Sequence, residues 1–214
     1  MAWPACHPST RQTMNHPRKP EYSVEPVILN RWSPRSFIPA EMPKQDLMSL
    51  FEAARWAPSS FNNQPWRFLY AGRESIHWRL FLDLLAPGNR SWAQDASVLI
   101  VVLSNTRFDH NGNPSVTHSF DAGAAWENLA LQASVKGYAA HGMEGFDHDK
   151  ARADLGVPNE FQIEAMIALG KQGPKERLSA DLQEIEAPNA RHPIHENIAE
   201  GKFTPALLHA EKKN

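Results

Sequence analysis

The sequence predicts an α+β domain in which a small sheet is packed between helices. Three observations lead there. The strand candidates are few and short, at 66–70, 97–103 and 163–169. Helical patterns of unequal length separate them, without the regular strand–helix alternation of a parallel sheet. The chain has 214 residues, enough for one large domain with its own core.

The elements follow in order. Residues 1–29 carry Pro4, Pro8, Pro17, Pro20 and Pro26 among His, Arg, Lys, Asn and Ser, a composition that cannot build a packed element. We expect a mobile arm over 1–26, a body over 27–203 and a tail over 204–214. Over 43–56, Leu47, Leu50, Phe51 and Ala54 share one helical stripe, with Pro43 near the first helical position and Pro58 beyond the end. Residues 66–70 form an aromatic-rich strand. A helix is predicted over 75–85, carrying Ile76, Leu80, Phe81 and Leu84, with Gly88 after it. The Val- and Ile-rich run 97–103 lacks polar alternation, which predicts a strand buried on both faces. Residues 120–136 make a long helix of small residues that stops at Lys136-Gly137. A strand-like segment leads into Gly142, and a short helix follows over 147–155 with Asp147 as its N-cap and Gly156 at its end. Residues 163–169 give another buried strand, and the Pro- and charge-rich 173–193 predicts extended chain.

Composition excludes several function classes. Lys and Arg number 22 against 24 Asp and Glu, a net charge of −2, so the chain does not capture nucleic acid or anionic membrane by broad electrostatics. An anionic ligand needs a local cluster of positive charge. The single cysteine, Cys6, excludes a disulfide within one chain and a Cys-rich zinc site. The longest apolar stretch is too short to span a bilayer, and no apolar signal region opens the chain, so we expect a soluble, cytoplasmic protein. No phosphate-binding GxxxxGK[ST] loop, GxGxxG, GxSxG or HExxH motif is present. His192 and His195 have Pro193 between them and no third ligand, which points to surface histidines. His118 with Asp121 fits either an oriented base or a helix N-terminal cap.

Three clusters carry possible chemistry. In Arg31-Trp32-Ser33-Pro34-Arg35, Pro34 disfavours a helical Ser33, so the segment reads as extended, with Arg31, Ser33 and Arg35 on one side. Two guanidinium forks and a hydroxyl suit a compact oxyanion; a solvated edge strand fits the same residues. The loop from Ala57 through Pro58, Ser59, Ser60, Phe61, Asn62, Asn63 and Gln64 to Trp66 offers neutral donors and acceptors between two prolines. It suits the edge of a heterocycle walled by Phe61 and Trp66, or a plain helix-ending turn. In Gly142-Met143-Glu144-Gly145-Phe146-Asp147, glycines around Glu144 allow close approach of backbone N–H groups to a ligand; an ordinary strand-to-helix connection needs the same residues.

Taken together, these segments resemble the nitroreductase family of FMN-dependent oxidoreductases over roughly 27–203. The resemblance rests on Arg31-x-Ser33-x-Arg35-x-Phe37 and on the run Ala53-Ala54-Arg55-Trp56-Ala57-Pro58-Ser59-Ser60-Phe61-Asn62-Asn63-Gln64-Pro65-Trp66-Arg67-Phe68. It continues through Phe120-Asp121-x-Gly123-Ala124-Ala125, Met143-Glu144-Gly145-Phe146-Asp147, Pro158 and Ala168-Leu169-Gly170.

The resemblance implies an α/β sandwich with a central, mostly antiparallel sheet, in a domain-swapped homodimer with FMN at the subunit interface. Arg31, Trp32, Ser33 and Arg35 would meet the phosphate, ribityl and pyrimidine side. Pro58, Ser59, Ser60 and Phe61 of the partner would line the ring, with Asn63 and Gln64 in the same loop. Asn89 would meet the pyrimidine. Gly142, Met143, Glu144 and Gly145 would lie along the ring, with the N–H groups of Glu144 and Gly145 at N5 and O4. Arg191 would close the phosphate site. Two departures stand out: Asn189 and Trp92 occupy positions where some members carry lysine.

The implied reaction moves hydride from NAD(P)H to flavin N5, then electrons to a nitroaromatic, quinone or related flat acceptor, by a ping-pong route without a catalytic side chain. Alternatives are a flavin-binding or regulatory protein without nicotinamide-driven turnover, and a dehalogenase or flavin-fragmenting branch of the same fold. An RNA-binding module is disfavoured because the arginines are scattered among acids.

Overall fold

The computed structural model describes residues 18–208. Expectations for 1–17 and 209–214 fall outside the described residues. The chain divides into a larger unit, 25–187, and a smaller one formed among the described residues by 18–24 and 188–208.

The larger unit runs α1 (Pro26–Asn30), β1 (Phe37–Ile38), α2 (Lys44–Arg55), β2 (Trp66–Gly72), α3 (Trp78–Leu82), α4 (Pro87–Ala93), β3 (Val98–Asn105), α5 (His118–Val135), β4 (Ala139–Met143), α6 (His148–Asp154), β5 (Phe161–Gln172) and α7 (Ala180–Ile185). β3 lies between β2 and β5, and the other edge of β5 pairs with β4 and then β1. Every pairing is antiparallel, as expected for an α+β sheet.

β3 explains why the core has two sides. Val98, Ile100 and Val102 pack with Leu47, Leu50, Ala125, Leu129 and Ala133 of α2 and α5. Leu99, Val101 and Leu103 face Phe81, Leu82, Trp92 and Ala151 of α3, α4 and α6. Strand alternation sends successive side chains to opposite layers, and helices cover both, so no polar residue interrupts the run. Between β3 and β5 the register slips: Val102 pairs with Ala165 but Leu103 with Ile163, leaving Glu164 as the extra residue of a bulge. Its Oε1 accepts from Ser104 and, at 2.7 Å, from Ser119, while His118 Nδ1 lies 2.7 Å from Ser104 Oγ. The partners of His118 are thus Ser104, Ser119 and Glu164, and Asp121 is used elsewhere.

The helix packed on α5 is fixed by charge as well as by its stripe. Asp46 takes an ion pair from Lys136 at 2.8 Å and a hydrogen bond from Tyr138 Oη at 2.6 Å. Lys136 and Tyr138 hold the Asp46 carboxyl below the usual range. Burial, with the adjacent carboxylate, pushes the Tyr138 phenol up to about 12.

Several local expectations change. Pro43 sits at the N-cap of α2, one residue outside the helix. Of 75–85 only Trp78–Leu82 is α-helical; a turn at Ser75 leaves Ile76 92% exposed. Pro87 starts a helix, α4, where Gly88 suggested a stop. Residues 173–193 are not extended throughout: a 3₁₀ turn, Lys175–Arg177, precedes α7. The cause is tertiary, since Leu178 and Leu182, four apart, pack against the core. Asp147 caps α6 as expected, accepting from Lys150 N at 2.9 Å. In the smaller unit, Arg18 Nε donates to the Asn189 carbonyl at 2.9 Å, and Ile194 N to Glu21 Oε1 at 2.8 Å. His192 pairs with Glu196 at 3.2 Å.

Candidate functional site

The arginine segment begins where α1 ends. Arg31 leaves the helix in extended conformation (φ −63°, ψ 129°). Its Nη1 lies 3.5 Å from Ser33 Oγ and its Nε 3.5 Å from Glu127 of α5. Trp32 beside them is half-buried. A bend at Arg35 interrupts the extended run, so the alternation that joins Arg31 to Ser33 ends there. Arg35 is held instead by Glu186, whose carboxylate accepts its backbone N–H at 2.8 and 3.1 Å and that of Ser36 at 2.9 Å. Pro34 O accepts from His141 Nδ1 at 2.9 Å, which places a proton on that nitrogen. Burial lowers the His141 pKa from its ordinary value. Trp92, 3% exposed, packs 4.7 Å from His141 and 6.2 Å from Phe37 by ring centroids. Trp92, where the resemblance implied lysine in some members, is therefore a core residue.

The loop after α2 is strained. Phe61, Asn62 and Gln64 have φ of 52°, 54° and 48°, a left-handed region that costs a non-glycine residue roughly 1–2 kcal/mol. Pro58 is exposed at its start. Local hydrogen bonds hold the rest: Ser59 Oγ accepts from Gln64 N at 3.0 Å, and Ser60 N donates to the buried Asp121 at 3.1 Å. Asn63 spends both ends of its amide on the neighbouring loop, donating to Arg107 O at 3.2 Å and accepting from Asp109 N at 2.9 Å. Phe61 is 80% exposed and meets Phe108 edge-on at 5.6 Å and His110 at 5.6 Å. An open groove of about 370 Å³ lies along Phe61, Gln64, Arg67, Asp109 and His110. Sequence reasoning missed Phe108 and His110, because nothing in 106–113 departs from an ordinary loop.

The third part is the turn from β4 to α6. A Cβ on Gly142 would come within 3.3 Å of the Trp126 ring. Met143 is buried in the core, its side chain included. Gly145 O accepts from Asn89 Nδ2 at 3.0 Å and from Ala86 N at 3.1 Å. A Cβ on Gly145 would stand 2.7 Å from Asn89 Nδ2, so a larger residue would have to displace the Asn89 amide. Glu144 and Gly145 are exposed, and their backbone N–H groups donate to nothing among the described residues. Arg191 belongs to the smaller unit, where its Nη1 donates to Ala190 O at 3.0 Å.

A profile of the Nitroreductase family matches residues 28–171. The chain belongs to the nitroreductase family. As a member it is an oxidoreductase. It is 30% identical to Protein DrgA of Synechocystis over 68% of this chain and 82% of that protein. It is 26% identical to an NADH dehydrogenase of Thermus thermophilus over 71% of this chain and 87% of that one. A crystal structure described as an oxidoreductase containing FMN superposes with a TM-score of 0.86 at 48% identity, covering 90% of this chain and 98% of that one. Within the nitroreductase fold, the arginine segment leads into β1 and the glycine turn leaves β4, both on one edge of β5, while the third segment joins α2 to β2. No helix among the described residues is long and apolar enough to cross a membrane.

Proposed function

We propose that this nitroreductase is a homodimeric FMN-dependent enzyme that takes hydride from NAD(P)H and passes electrons to a nitroaromatic, quinone or related flat acceptor. One observation carries the cofactor reading: Glu144 and Gly145 present undonated N–H groups on a turn that Asn89 locks in place. Such paired donors suit the acceptor atoms of a flavin edge. The donor set fits the rest of FMN. Arg31 and Ser33 converge to 3.5 Å and offer a guanidinium and a hydroxyl to a phosphate. Arg35 supplies a fixed positive charge for the pyrimidine side. The structure named for FMN at 48% identity supports the same assignment, and the Thermus relative's name supports the reductant.

When bound, FMN supplies hydride acceptance at N5 and its return to an acceptor. The chain's own residues bind, orient and shield. Trp66, expected as the second wall beside Phe61, is buried in the core; Phe61 and Phe108 offer the aromatic walls that favour flat acceptors. Phe61 and Phe120, each 80% exposed, stand beside the Ser60–Asp121 hydrogen bond. Uncovered aromatic surface of this kind fits a second copy, which would receive Ser59, Ser60 and Phe61 at its own flavin.

The purified protein is expected to be yellow, to elute as a dimer, and to lose flavin absorbance when NADH or NADPH is added without air. A flavin that binds but is reduced by neither nicotinamide would replace this reading with that of a flavin-binding protein.

A further inference from the structure

The backbone that carries Arg35 is anchored by an anion of the chain's own. Glu186 follows the last residue of α7, and its side chain is 3% exposed. Its Oε1 accepts the N–H groups of both Arg35 and Ser36, at 2.8 and 2.9 Å. Successive backbone amides converging on one oxygen are how protein backbone cradles an anion. Here the anion is internal, so these two donors are spent inside the protein.

The next groups along the segment are satisfied by the same stretch of chain. Ser36 Oγ donates to Pro174 O at 2.6 Å, Gly173 N to Ser36 O at 2.9 Å, and Arg177 Nε to Phe37 O at 3.1 Å. The Arg35 head group is treated differently. Its Nη1 lies 4.0 Å from Glu186 Oε2, beyond hydrogen-bond reach but close enough for strong Coulombic influence. The carboxylate therefore fixes the start of the arginine side chain and offsets part of its charge, yet leaves its donors for something else.

We propose that Glu186 is a positioning residue for the cofactor: it sets the backbone from which Arg35 reaches the flavin and moderates how strongly that arginine favours the reduced, anionic form. This rests on the FMN reading above. A tie that served folding alone would alter stability without altering the balance between oxidised and reduced flavin.

The test compares FMN affinity of the apo-protein and midpoint potential of the holo-protein in wild type, Glu186→Gln and Glu186→Asp. Glu186→Gln keeps a carbonyl oxygen for the amides and removes the charge. It is expected to raise the preference for reduced over oxidised FMN by about tenfold, an upward shift of about 30 mV for a two-electron couple. Glu186→Asp keeps the charge but loses reach, and is expected to weaken FMN binding by about tenfold with the potential held. A potential that stays or falls in Glu186→Gln, or an unweakened FMN affinity in Glu186→Asp, overturns the proposal. If one variant does not fold, the other decides. Wild type that takes up no FMN overturns the cofactor reading as well, whereas normal uptake with unmoved variants overturns only the role of Glu186.

Discussion

Around Arg35, Ser36 and Phe37 the backbone is held inside the protein by Glu186, Gly173 and Arg177. Around Phe61, Asn62 and Gln64 three non-glycine residues sit in left-handed backbone, and the largest side chain stands in solvent. Both regions belong to the proposed site, but one is relaxed and buried while the other stores strain at the surface. The difference matches two tasks. A cofactor held permanently gains from a fixed seat whose donors are already oriented. In the proposed function, a surface that changes occupants and receives a second copy would gain from a shape set by strain and completed by what covers it.

The rigid seat is testable at the strand beneath it. A Cβ on Gly170 of β5 would lie 3.0 Å from Ser97 N and Oγ and 3.2 Å from Phe37. Ser97 N is already bonded to Leu169 O at 2.9 Å, so the backbone has little room to yield. Gly170→Ala should therefore cost about 2 kcal/mol, read as a lower urea midpoint at constant slope. An unchanged midpoint would show that the seat under Phe37 is soft.

The strained side should respond in the opposite direction. Gln64→Gly removes a left-handed penalty of roughly 1–2 kcal/mol and adds about 0.5–1 kcal/mol of chain entropy cost. The net expectation is a gain of up to about 1.5 kcal/mol, seen as a higher melting temperature. A drop would mean that the Gln64 amide, which donates to Asn62 O at 3.1 Å, outweighs the strain.

The smallest expected effect is a dependence on pH. Burial depresses the His141 pKa below its ordinary 6.5. The unfolded chain then binds the proton more readily than the folded one, so stability falls as pH drops below about 6.5 toward the folded value. Melting temperatures measured from pH 7.5 to 5 should decline, and His141→Gln should flatten that part of the slope. An identical slope in the variant would assign the acid sensitivity to other groups.

What the sequence made legible was whatever its local pattern encodes. The apolar run at 97–103 announced β3 because both of its faces are covered, and the Leu47–Leu50–Ala54 stripe announced α2. The charged stretch after β5 hid α7, since Leu178 and Leu182 gain their meaning only from the core they touch. Glu186 was invisible as a partner of Arg35, 151 positions away, because a lone acid carries no spacing signal. The loop strain was hidden too. A left-handed turn is normally advertised by glycine, and here Phe61, Asn62 and Gln64 stand in its place.

The pairing of β1 with β5 bears on the order of events in the life of the chain. Phe37 finds its strand partner in Gln172, and the amides of Arg35 and Ser36 find theirs in Glu186. Arg31, Ser33 and Arg35 leave the ribosome early, yet their seat cannot close until nearly all of the larger unit has been synthesised. Such distant contacts form late in folding. A cofactor that depends on this seat is therefore acquired by a domain whose central strands have already set.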